Sequence, residues 1–421
     1  MVERLPPTKW AARDDLAAIV AALGADNARY VGGAVRDSLL GIAVKDVDIA
    51  TPLLPAEVIA RLDAAQIRNV PTGIEHGTIT AVVPFGPVEI TTLRRDVSTD
   101  GRRATVAFAS AWQDDAARRD FTINALYADP ASGEIADYFG GLADLAARRV
   151  RFIGDARQRI REDHLRILRY FRFQARFGSQ PADEEAESAC AELAATLKGL
   201  SRERIGMEMM NLLGLPDPAA TLARMGELGV LAVVLPEADP AALARLVAEE
   251  ARQGAAPDPL RRLAALLPAE VPLAEAVASR FRLSGAQKKR LATAAGRGNE
   301  PLAFRGGVGV GSADQAPLYP DKPHSPALSP EGEREQVARA LAYRLGLDGA
   351  LDRLLLTGAD IAPLRDWAIP QFPLKGGEIV AAGIQAGPEV ARILHSVEDR
   401  WVAEGFPDRA RVLEILAEMT A

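Results

Sequence analysis

The sequence predicts an α+β fold: an N-terminal domain built on a mixed β-sheet, then an all-helical remainder. Period-2 alternation and β-branched residues concentrate before about residue 130. After about residue 157 the strand signal nearly vanishes, and apolar residues recur at helical spacing. Strands and helices thus occupy separate stretches, and 421 residues are enough for two to four domains.

In chain order, 28–31, 47–50, 77–83, 88–92 and 104–108 read as strands. Helical periodicity covers 36–40 and 55–62, the second after Thr51 and Pro52, a helix-start signal. The segments 157–177, 184–196, 202–213, 218–225 and 241–250 read as helices. Gly306-Gly307, Gly309, Gly311 and the prolines from Pro317 to Pro330 break the pattern, so 302–333 reads as a flexible loop or linker. Helical signal resumes at 335–345, and 376–421 ends in an amphipathic run through Trp401.

Hydrophobic residues make up 48% and charged residues 25%, an ordinary balance for a domain with a sizeable core. One cysteine, Cys190, excludes an internal disulfide and suits a reducing cytoplasm. Residues 1–23 carry Glu3, Asp14 and Asp15 without a signal-peptide core, and no apolar run spans a bilayer, so no membrane partner is expected. A net charge of −7 makes the chain a poor non-specific nucleic-acid binder, so any RNA contact must come from local basic surface.

Five stretches carry chemistry. Gly32-Gly33-Ala34-Val35-Arg36-Asp37 follows a strand and opens a helix. Its glycines let backbone N–H groups approach a phosphate, and Arg36 can fork onto phosphate oxygens. In Asp46-Val47-Asp48, residues i and i+2 share a strand face, which sets two carboxylates side by side. Such a pair repels unless a cation lies between, and hard oxygen ligands favour Mg²⁺. Two Mg²⁺ ions there could activate a hydroxyl and stabilise leaving pyrophosphate. Glu89, on a later strand, either completes this site as a third catalytic carboxylate or simply faces outward. Arg118-Arg119-Asp120-Phe121-Thr122-Ile123-Asn124 suits a nucleoside triphosphate, with arginine on phosphate and Asp120 on a ribose hydroxyl. Finally, Glu162-Asp163-His164-Leu165-Arg166 and its continuation to Arg169 and Arg172 read as one helix, with Asp163 beside Arg166 and Arg166 beside Arg169.

Taken in this order, the motifs resemble the bacterial and eukaryotic class of CCA-adding enzymes and bacterial poly(A) polymerases. The 73–80 stretch resembles that family's Gly-x-x-His-Gly-Thr strand. Asp100-Gly101-Arg102-Arg103 resembles its flexible loop, and Ser201-Arg202-Glu203-Arg204-Ile205 its neck-helix motif. The likeness is strong over 28–215; 302–333 has no match. It implies a nucleotidyltransferase head at 25–150, a neck at 151–215, an RNA-binding body at 216–301, a loop at 302–334 and a helical tail at 335–421. It also implies addition of CCA to tRNA from CTP and ATP, with tRNA rather than DNA as partner. By position, Asp46 and Asp48 would bind Mg²⁺. Gly32, Gly33, Arg36, Arg119 and Asp120 would hold the nucleotide. Asp163 and Arg166 would read the base, supported by Arg169 and Arg172.

Base reading also has a physical rationale. Cytosine and adenine each offer an amino donor beside a ring-nitrogen acceptor, the complement of a carboxylate next to a guanidinium; uracil and guanine reverse the pattern. A poly(A) polymerase shares every motif, but the chain lacks a basic C-terminal tail. A partial enzyme adding only CC or only A stays open, although Asp100–Arg103 argues against the CC-adding version; intact Asp46, Asp48, Arg119, Asp163 and Arg166 speak against a non-catalytic RNA-binding protein, and the long helical remainder against a transferase acting on small molecules. A phosphohydrolase is disfavoured, because His76, His164, His324 and His395 form no His-Asp doublet.

Overall fold

The structure, a computed structural model, describes residues 3–99, 104–296 and 330–420. The stretch 100–103, expected to be a flexible loop, and most of the 302–334 loop lie outside these residues. The chain divides into two compact units, Met1–Pro236 and Glu237–Ala421.

The first unit carries a seven-stranded sheet. In chain order its strands are β1 (Arg29–Val31), β2 (Asp48–Thr51), β3 (Asn69–Gly73), β4 (Thr78–Val83) and β5 (Gly86–Thr92). Next come β6 (Arg94–Thr99) and β7 (Ala104–Phe108), which pair only with each other, and then β8 (Leu126–Ala128) and β9 (Ile135–Asp137). The sheet order is β3-β4-β5-β2-β1-β8-β9. Every neighbouring pair is antiparallel except β2 and β5, which makes the sheet mixed as expected. Strands β3, β6, β8 and β9 were not expected from the sequence; β3 contains Pro71 and Gly73, which read as breakers.

Helices of this unit are α1 (Asp14–Leu23), α2 (Gly33–Leu39), α3 (Pro55–Ala64), α4 (Trp112–Ala117) and α5 (Gly141–Ala146). They continue with α6 (Ala156–Glu162), α7 (Arg166–Phe177), α8 (Glu184–Leu193), α9 (Arg202–Leu213), α10 (Ala219–Glu227) and α11 (Val230–Val234). Asp155, Asp183 and Ser201 accept the N3 backbone N–H of α6, α8 and α9, respectively, which fixes where those helices begin. Aromatic packing seats α7 against the chain following the Arg118–Asp120 motif. Phe121 lies 5.0 Å from Phe152 and 5.0 Å from Phe173, and Tyr170 stacks on Phe152 at 5.8 Å.

The predicted single helix over 157–177 is two helices. Asp163 leaves the helical region (φ −148°, ψ 106°), and its Oδ1 accepts the Leu165 N–H at 3.1 Å. An aspartate bonding the backbone two residues on competes with helix continuation, and no glycine or proline marks the break.

The regular elements among the second unit's described residues are all helices: α12 (Pro240–Gln253), α13 (Pro259–Leu266), α14 (Val271–Arg280), α15 (Gly285–Ala295), α16 (Pro330–Leu356), α17 (Gly376–Ala381), α18 (Pro388–Ala403) and α19 (Arg409–Thr420). Helix α16 kinks at Gly346 (φ 77°). One core centres on Leu246, Leu354 and Leu355, another on the buried Trp401, which packs on Tyr343, Phe372 and Phe406.

Candidate active site

The site is built where β1 ends. Val31 pairs with Asp48 and with Tyr127, so β1 carries these side chains onto one region of the sheet. The next residue, Gly32, adopts φ 68° and ψ −121°, closed to a side-chain-bearing residue without strain, and turns the chain into α2. A Cβ there would also meet the Arg119 guanidinium at 3.4 Å. Gly33 opens α2.

Strand β2 starts at Asp48, later than expected, because its partner β1 gives way to the Gly32 turn after Val31. Asp46 therefore stands just before the strand. The alternation persists: Asp46 is exposed, Val47 buried and Asp48 half-buried. Glu89 lies opposite Asp48 on the parallel strand β5. Burial, then the negative charge of Glu89, push the Asp48 carboxyl up to about 6; Asp46 adds to this and Arg119 offsets part of it. Three acids thus press on one another beside one cation. Among the described residues, however, no three His, Cys, Asp or Glu side chains converge into a ready-made metal cage. Glu89 bears on Asp48 through its charge. Two carboxylates plus substrate oxygens is nonetheless an ordinary Mg²⁺ donor set, since that ion keeps several waters and shares phosphate oxygens.

Arg119 is the cation facing this group. Its Nη2 pairs with Asp115 at 3.2 Å and its Nε donates to the Tyr127 hydroxyl at 3.1 Å. Asp115, only 1% exposed, also receives Arg118 (2.7 Å), the Tyr127 O–H (2.7 Å) and the Arg94 N–H (3.2 Å). Burial alone would raise its carboxyl, but Arg119, Arg118 and Tyr127 outweigh that and hold it at about 2. Asp115 fixes the arginine pair and was missed by sequence reasoning, although its i+3 and i+4 spacing to Arg118 and Arg119 was a readable signal.

Two expectations change. Arg36 is buried, not turned to a phosphate. It pairs with Asp37 at 2.6 Å, donates to Asn124 Oδ1 at 2.5 Å and stacks over Phe177 at 4.1 Å. Asp120 is also buried, with both oxygens engaged: Oδ1 accepts from Asn124 and the Phe121 N–H at 2.9 Å each, and Oδ2 accepts from Arg169 Nε at 2.9 Å. Burial would raise its carboxyl, but Arg169 and Asn124 hold it at about 2. Both residues brace the glycine turn against α7. A buried charge must be paired, and neither keeps an open edge for a ligand.

Around the α6–α7 break, Asp163 and Arg166 do not share a helix edge, contrary to expectation. Asp163 Oδ2 pairs with Arg204 of α9 at 2.8 Å. Arg166 pairs with Glu162 at 2.6 Å and donates to the Arg159 and Arg118 carbonyls at 2.7 and 3.1 Å. Arg172 pairs with Glu208 of α9 at 2.6 Å, and Arg169 approaches that same carboxylate at 3.9 Å. Glu208 is 4% exposed and is a second residue sequence reasoning missed; it lies four residues past Arg204, one helical turn on. Asp163 and Arg169 remain about a third exposed at their side chains, so they keep faces for a ligand.

Residues 28–151 match the family described as Poly A polymerase head domain, and 182–242 match the Probable RNA and SrmB-binding site of polymerase A. The mitochondrial CCA tRNA nucleotidyltransferase 1 of Mus musculus is 35% identical over 385 residues, covering 90% of this chain and 83% of that protein. The chain belongs to the CCA tRNA nucleotidyltransferase family. The CCA-adding enzyme of Geobacillus stearothermophilus is 39% identical over 206 residues, 48% of this chain and 50% of that enzyme. Among solved structures, the Bacillus stearothermophilus CCA-adding enzyme in complex with CTP superposes with a TM-score of 0.73 at 27% identity, covering 98% of each chain.

Proposed function

We propose that this protein adds cytidine and adenosine to the 3′ end of tRNA without a nucleic-acid template, using CTP and ATP and releasing pyrophosphate. The observation that carries this is near-full-length similarity to a CCA tRNA nucleotidyltransferase, together with Asp46, Asp48 and Arg119 gathered at the Gly32 turn. Asp46 and Asp48 would hold Mg²⁺, which when bound supplies a more acidic 3′ hydroxyl and charge neutralisation at the leaving pyrophosphate. The acid pair fits that role, because a cation between them relieves the repulsion that helps raise Asp48.

Arg119 supplies positive charge for the triphosphate, and the Gly32-Gly33 backbone lets it approach closely. Asp163 accepts from the amino group of cytosine or adenine. Arg166 donates to the adjoining ring nitrogen through donor capacity its protein partners leave over. Arg169 and Arg172, tied to Asp120 and Glu208, hold this floor in place. Among the described residues no helix is long and apolar enough to cross a membrane, and Cys190 is a buried free thiol, which accords with a reducing compartment such as the cytoplasm. The deciding experiment offers tRNA lacking its 3′ CCA with each NTP separately and together. Ordered gain of two cytidines and one adenosine supports the reading, whereas long adenosine runs on any RNA would make the protein a poly(A) polymerase.

A further inference from the structure

Most cations of the second unit are neutralised. Arg280 pairs with Glu237 at 2.7 Å, Arg290 with Asp258 and Asp352 at 2.9 and 2.7 Å, and Arg261 and Arg262 with the buried Glu250. Lys288 and Lys289 on α15 are exceptions, with no ion pair to any described residue. The stretch 279–290 contains Arg280, Arg282, Lys288, Lys289 and Arg290 and no acid. Lysine is sparse in this chain, at 9, 45, 198, 288, 289, 322 and 375, and only 288 and 289 adjoin.

Lys288 and Lys289 line an open cleft of about 600 Å³ between α14, α15 and α16, together with Arg353, Thr293 and one carboxylate, Glu275. Neither lysine forms an ion pair with any described residue. The Lys288 ammonium makes only a long 3.4 Å contact to the Ser279 hydroxyl. Arg353 donates to the Thr293 carbonyl at 3.2 Å, which holds its head group in the cleft wall. Three cations therefore face one acid.

Their position is also unfavourable for the helix itself. Both lysines lie within the first five residues of α15, near the positive end of its macrodipole, and no acid in its first turn compensates. An anion in the cleft would gain from the ammonium groups.

We propose that this cleft is a phosphate-binding site for the backbone of the tRNA substrate. It lies outside 182–242, the segment matching an RNA-binding family. Lysine ammonium groups bind phosphate as point charges and carry no base preference, which suits a site that must accept tRNAs of differing sequence. In a chain of net charge −7, attraction for RNA has to be concentrated in such places. The inference rests on tRNA being the substrate, so the test reads binding and catalysis separately.

The double variant Lys288→Gln/Lys289→Gln is made in the full chain. Its affinity for tRNA lacking CCA is measured from low to moderate salt, and its turnover with CTP and ATP is measured in parallel. The slope of log Kd against log salt should fall by about two, one for each lost phosphate contact. The KM for tRNA should rise about tenfold or more, each contact being worth a few-fold, while the KM for CTP and kcat at saturating tRNA hold. Thermal stability should stay level or rise, because cations leave the start of a helix; this separates lost RNA contact from lost folding. Lys375→Gln, the loss of one lysine charge outside the cleft, should leave the slope unchanged. An unaltered slope and KM in the double variant overturn the proposal, as does an equal effect from Lys375→Gln. Wild-type protein that binds tRNA but does not extend it overturns the proposed activity and leaves the site standing.

Discussion

Replacing Asp48 with asparagine should stabilise the metal-free protein while destroying its activity. The Asp48 carboxyl, ordinarily near 3.8, is pushed up to about 6 by burial and by the charges of Glu89 and Asp46. One pKa unit is worth about 1.4 kcal/mol, so ionised Asp48 costs the fold about 2–3 kcal/mol after screening at this half-buried position. Its folded form keeps the proton to higher pH than its unfolded form. The penalty is therefore absent below 3.8, grows as pH rises from 3.8 to about 6, and is complete above that. The amide of the variant cannot ionise and escapes it. For a unit of this size about 2–4 °C accompanies each kcal/mol, so the variant should melt about 5–10 °C higher than wild type at neutral pH in EDTA. At mildly acidic pH, midway between the two carboxyl values, the gap should be about half as large. Added Mg²⁺ should narrow it, since a cation relieves the same repulsion. Thermal unfolding at both pH values, with and without EDTA, checks each point, and nucleotide transfer by the Asp48→Asn variant should be undetectable. A variant no more stable than wild type at neutral pH, or a gap that does not shrink on mild acidification, would show that these carboxylates are not an unrelieved charge cluster.

Chelating Mg²⁺ should abolish nucleotide transfer but leave tRNA binding measurable by filter retention. Asp163→Ala should weaken CTP and ATP use and raise relative UTP or GTP incorporation, by about 1–3 kcal/mol for each group left unpaired; unchanged preference in single-nucleotide incorporation would assign base choice elsewhere. Asp115→Asn should cost about 2 kcal/mol at neutral pH by unfolding titration. Its folded carboxyl is held at about 2, so that stability is fully present above 3.8 and is lost as pH falls towards 2. Glu208→Ala, which strands the Arg172 charge against a buried surface, should cost about 3–5 kcal/mol and raise the KM for nucleotide more than that for tRNA.

Fold class and the family resemblance were legible in the chain before any packing was known. Alternation and β-branched residues in 47–50, 77–83 and 88–92 marked strands; β5 alternates in burial, whereas β2 is buried on both faces over Ile49–Thr51. Asp46-Val47-Asp48 after a Gly-Gly turn was readable because the two acids are close in sequence as well as in space. The partners of charges distant in sequence emerged only from the packed molecule. Arg36 and Asp120 look like ligands for a nucleotide, yet burial and pairing with Asn124, Asp37 and Arg169 make them braces. Periodicity ran unbroken through Asp163 because a two-residue side-chain turn leaves no trace in apolar spacing; only the Leu165 N–H and Arg204 contacts reveal the break. Glu208 was silent for a related reason, as its role exists only once α9 lies beside α7. Local sequence specifies local conformation and the face that seeks burial. Which charge meets which depends on how elements far apart in the chain pack, because electrostatic pairing is set by distance in space.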